Sequence, residues 1–107
     1  MHVTYPVYWP QFFTATIINW RPLLANNAYK DIVIESLQFL VTGNRIELNA
    51  FVIMSNHIHL IWQPLNQFSP EDVQLSFMKY TAQQILRKLK SEAPETAAAF
   101  KVNKHDR

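Results

Sequence analysis

The chain has 107 residues, 49% of them apolar and 17% charged, with a formal net charge of +2 and an isoelectric point near 9.0, which is the composition of one globular domain and not of a disordered chain. It contains no cysteine, which excludes a disulfide framework and any thiolate metal site. No basic start leads into an apolar core and no apolar run nears the length of a membrane span, so secretion and insertion are not expected and the cytoplasm is the default compartment.

Residues 1–9 are aromatic, broken by proline and without a regular pattern. Phe12–Trp20, bracketed by Pro10 and Pro22, has the β-branched and aromatic density of a strand. A short connection, Leu23–Asn27, leads to a helix over Ala28–Thr42 that Asn26 or Asn27 can cap. Tyr29, Val33, Leu37, Leu40 and Val41 recur there at three- and four-residue intervals and form its expected apolar stripe. Gly43, the one glycine in the chain, stands where a left-handed C-cap is wanted.

Arg45–Met54 and His57–Gln63 read as the second and third strands, joined by a turn at Ser55-Asn56 into a buried antiparallel hairpin at the centre of the sheet. Alternation puts His57 and His59 on one face and Ile58 and Leu60 on the other. Two imidazoles on a stiff strand are a good but incomplete ligand pair for a divalent metal. The plainer alternative is two half-exposed histidines bonded to water or backbone. Asn56 is expected to shape the turn, and Trp62 to lie in the core.

Ser69-Pro70-Glu71-Asp72 is a helix start, with serine at the cap, proline at the first position and acids in the first turn. The second helix should run to about Ser91, with Leu75, Met78, Ala82, Ile85, Leu86 and Leu89 toward the sheet and Val73, Phe77, Tyr80, Gln84 and Arg87 opposite. Pro94 ends it; a further helical turn over 95–100 and a polar tail follow, and His2 and His105 are expected to be unliganded. The order strand-helix-strand-strand-helix is an α+β pattern, a ferredoxin-like antiparallel sheet packed with two helices. Seven of the ten basic residues follow position 78, so a balance that permits nucleic-acid binding is concentrated in the C-terminal part.

Ala50-Phe51-Val52-Ile53-Met54-Ser55-Asn56-His57-Ile58-His59-Leu60-Ile61 resembles the signature of the REP-associated tyrosine transposases, a single-tyrosine HUH family in which aromatic-Val-Ile-Met-x-Asn-His-x-His-Leu recurs. The likeness is close over these contiguous positions and looser on both sides. It implies a metal-dependent transesterification on single-stranded DNA: His57 and His59 bind Mg²⁺ or Mn²⁺, and a tyrosine on a later helix attacks the phosphorus to give a 5′-phosphotyrosine link.

Tyr80 followed by Gln84 has the spacing of that nucleophile and its polar companion. Phe77-Met78-Lys79-Tyr80-Thr81, however, resembles the Phe-x-Lys-(Phe or Tyr)-Thr stretch of the preceding helix. In that register Tyr80 is a packing or base-stacking residue, and the chain is a C-terminally incomplete version of the domain. Lys79 and Arg87 are the candidate DNA-phosphate contacts, or else solvated helix charges. The expected partner is DNA, single-stranded or in a hairpin, in a nucleoid-associated cytoplasmic protein, with a homodimer left open. A domain that binds such DNA without cutting it is the competing function, while two long helices argue against a cupin-like metal enzyme.

Overall fold

The computed structural model describes residues 10–17, 21–65 and 68–98. Strands β1 (Gln11–Thr16), β2 (Ile46–Ile53) and β3 (His57–Pro64) form an antiparallel sheet in the order β1-β3-β2, and helices α1 (Asn27–Thr42) and α2 (Pro70–Glu92) pack on it. This is the expected α+β arrangement, with a further helical turn over 94–98. Asn26 caps α1 through its side chain, which accepts from the Ala28 amide, and Ser69 caps α2 by accepting from Asp72.

Both helices cover the same side of the sheet. Ile58, Leu60, Trp62 and Pro64 of β3 are buried, and the first three join Val33, Leu37, Leu40, Phe77, Ile85 and Leu89 in one core. Trp62 lies fully buried at its centre, stacked on Phe13 at 5.3 Å and meeting the edge of Phe77 at 5.5 Å. The alternate residues of β3, His57, His59, Ile61 and Gln63, point to the other side, where no described helix lies.

Four expectations change. The first strand ends at Thr16, and residues 18–20 of the expected strand lie outside the described residues. The hairpin is not central as a whole: β3 is the middle strand and β2 is an edge, interrupted by a bulge at Asn49, and where a buried strand was expected Phe51 is 44% exposed and Val52, opposite His59 on the uncovered face, 55% exposed. The left-handed residue after α1 is Asn44, at φ 56°, not Gly43, at φ −80°; asparagine tolerates that region because its short polar side chain bonds locally.

The fourth change concerns α2. Its buried stripe is Val73, Phe77, Thr81, Ile85 and Leu89, while Leu75 is 68% exposed and Met78 and Ala82 also face outward. These buried residues recur every fourth position, and the polar one is accommodated because the Thr81 hydroxyl donates to Ser36 Oγ on α1 at 2.9 Å. Ser36 in turn donates to the Ile32 carbonyl, and it occupies the buried side of α1, whereas Val41 is exposed.

Candidate metal and nucleic-acid site

The histidine pair owes its position to a tightly held turn. The Met54 amide donates to the His57 carbonyl at 2.8 Å, closing Ser55-Asn56 into the hairpin. The carbonyls of the turn are then anchored from outside the sheet hairpin: Ile17 donates to Asn56 O at 2.9 Å and Leu24 to Ser55 O at 2.8 Å. Asn56 shapes the turn, as expected, and its side chain does more.

His57 and His59 leave the sheet half-exposed, with ring centroids 4.7 Å apart and planes nearly perpendicular at 86°. Asn56 Oδ1 lies 2.6 Å from His57 Nδ1. A neutral imidazole that donates through Nδ1 to an amide oxygen presents its lone pair at Nε2. His59 Nδ1 lies 3.1 Å from Thr14 Oγ1, on the neighbouring strand. Phe12, two residues earlier on the same face of β1, is tilted against His59 at 5.8 Å and 68% exposed.

The two rings therefore have partners at Nδ1 that set their orientation, the arrangement expected of metal-binding imidazoles. Among the described residues no group of three His, Cys, Asp or Glu side chains stands together. Around the pair are Thr16, opposite His57 in the β1–β3 register, and the apolar Val52 and Ile61.

The remaining candidates lie elsewhere. Tyr80 is exposed on α2 and lies nearly parallel to Phe39 of α1, with centroids 6.2 Å apart and planes at 14°; the sheet stands between it and the histidines. Gln84 is half-buried one turn further along α2. Lys79, two residues from buried Phe77 and from buried Thr81, points away from the sheet, and Arg87 is exposed two turns beyond Tyr80. The structure brings His57 and His59 together and leaves Tyr80, Lys79 and Arg87 on the helix side.

Sequence alone does not single out Thr14 and Phe12. Their only signal is that Phe12, Thr14 and Thr16 share one parity; the β1–β3 register that sets Thr14 opposite His59 is a tertiary fact.

No family model and no curated protein matches the chain. A solved structure of a REP-associated tyrosine transposase bound to a REP hairpin matches it with a TM-score of 0.59 at 20% sequence identity. The match covers 78% of this chain and 53% of that one, so this chain spans about half the length of the structure it matches. At that identity the likeness establishes a shared fold. Among the described residues no helix is long and apolar enough to cross a membrane.

Proposed function

We propose that this chain carries the metal-holding half of a transposase-type domain that cleaves and rejoins single-stranded DNA, with His57 and His59 as the ligands. The single observation that carries this reading is the pair of oriented imidazoles on an uncovered sheet face, in a fold shared with a transposase bound to a DNA hairpin.

The donor set fits a divalent cation in part. His57 and His59 would hold it through Nε2, and the remaining positions fall to phosphate oxygens and water, the hard ligands that Mg²⁺ and Mn²⁺ accept. Such an ion, when bound, polarises the scissile phosphate and steadies the departing 3′ oxygen. Asn56 and Thr14 keep the two rings from turning away, and Phe12 offers a ring face to a base beside the phosphate.

A second reading, a hairpin- or single-strand-binding domain that does not cut, is favoured by one observation. The tyrosines among the described residues are Tyr29, buried on α1, and Tyr80, on α2, both on the helix side. Among the described residues, then, no tyrosine stands on the histidine side of the sheet.

End-labelled hairpin DNA with a single-stranded extension, incubated with Mn²⁺, tests both readings. Metal-dependent nicking that disappears in His57→Ala and in His59→Ala is the expected result. Binding without any nick supports the non-cleaving domain, and nicking indifferent to both substitutions removes the metal assignment. A denaturant-stable adduct lost in Tyr80→Phe would make Tyr80 a nucleophile acting on a second copy.

A further inference from the structure

On the helix side of the sheet, four planar side chains from four segments line up. The Arg45 guanidinium, just before β2, sits 5.3 Å from the centroid of Phe39 and 5.4 Å from that of Phe68; Phe39 in turn stacks on Tyr80. All three rings are exposed, Phe39 by 57%, which is unusual for aromatic side chains that have packing partners. Beside them a small cleft of about 60 Å³ opens between α1 and α2, bordered by Ser36, Ser76, Phe39 and Tyr80.

The row has the chemistry of a stacking platform with a built-in cation. Base–aromatic stacking tolerates any sequence because every base has a π face, and a guanidinium beside aromatic rings can stack as well as donate its N–H groups to phosphate. Among the described residues no carboxylate stands within ion-pair distance of Arg45, so its charge is not neutralised locally. Beyond Tyr80 the same face of α2 continues through Gln84 to Arg87, and Lys79 adjoins Tyr80. Glu71 and Asp72 lie at the other end of α2, next to Phe68, so the positive charge is offset toward the Tyr80 end.

We infer that Phe68, Arg45, Phe39 and Tyr80 form a binding site for unpaired bases of single-stranded nucleic acid, separate from the histidine pair on the opposite side of the sheet. A plain apolar protein contact would not require a cation inside the stack or basic residues along its continuation. The site stands whether or not the histidine pair cleaves.

The test is fluorescence anisotropy with labelled oligothymidine and a labelled duplex, together with photocross-linking of an iodouracil-substituted oligonucleotide. Phe39→Ala, Tyr80→Leu and Arg45→Lys should each weaken oligothymidine binding by about fivefold or more, the lower end of what one lost stack costs. Arg45→Lys keeps the charge and gives up the plane, so its loss separates stacking from simple attraction. Leu75→Ala, an exposed apolar residue on another flank of α2, should bind as the unaltered protein does. Cross-links should map to Phe39, Phe68 or Tyr80.

The inference is overturned if the unaltered protein binds no oligonucleotide, or prefers duplex. It is equally overturned if the three substitutions leave affinity unchanged, if Leu75→Ala weakens it as much, or if cross-links appear only on β3. Thermal melting of each variant separates a lost site from a lost fold. Nicking lost in the histidine variants reports on the metal reading, and the cross-link map reports on this one.

Discussion

Thr14 on β1 reaches across the sheet to His59 on β3, Oγ1 to Nδ1 at 3.1 Å, and so a residue outside the histidine motif sets the angle of one of its rings. Thr14→Val keeps the β-branched shape and removes the hydroxyl. Mn²⁺ affinity, read from the electron paramagnetic resonance signal of unbound Mn²⁺, should fall by about 10- to 100-fold with the melting temperature nearly unchanged. Equal affinity in the variant would mean that the hydroxyl does not orient the ring.

Ser36 and Thr81 form the one side-chain hydrogen bond buried between α1 and α2 among the described residues. Thr81→Val should cost about 1–2 kcal/mol, because Ser36 Oγ keeps its bond to Ile32 and loses the donor that satisfied it. Combining it with Ser36→Ala should give a total smaller than the sum, with a coupling of about 1 kcal/mol in urea unfolding. Strict additivity would place the two hydroxyls out of contact.

Trp62 is buried on every side, and its indole Nε1 finds no acceptor among the described residues. Trp62→Phe retains an aromatic ring between Phe13 and Phe77 while removing a donor that contributes nothing there, and should cost less than about 1.5 kcal/mol. Trp62→Ala opens a cavity and should cost about 3–5 kcal/mol. Comparable losses in the two variants would show that the indole nitrogen is satisfied after all.

Tyr29 has its pKa raised above the ordinary 10.0, first by burial and then by the Glu92 carboxylate, with Lys88 opposing. Lys88, paired with Glu92 at 2.6 Å and lying over the Tyr29 ring, is raised as well, chiefly by that hydrogen bond. A folded-state pKa above the unfolded one contributes stability that is complete below the unfolded value and lost as pH rises through the folded value. The melting temperature should therefore fall on the alkaline side of pH 10, and Tyr29→Phe should flatten that fall. An identical alkaline slope in Tyr29→Phe would exclude the phenol as its source.

Local chemistry made much of this fold readable: Asn26 and Ser69 cap, Pro70 starts α2, Ser55-Asn56 turns the hairpin, and parity pairs His57 with His59. The face of α2 was not readable, because Thr81 interrupts the buried stripe while Leu75, Met78 and Leu86 offer an equally regular rival. Only Ser36, forty-five positions away, shows which stripe is inside. The same holds for the partners of the site: Thr14 meets His59 through sheet register, and Phe68 meets Arg45 across twenty-three positions, contacts that leave no local trace, whereas Arg45 reaches Phe39 locally, through the turn that ends α1.

The alternation along β3 divides the work of a single strand between two kinds of constraint. Ile58, Leu60 and Trp62 are held by close packing, where one altered methylene is felt throughout the domain. The intervening positions touch no such interior. Sequence drift can therefore rewrite the uncovered side of this strand one residue at a time while the scaffold beneath keeps its shape.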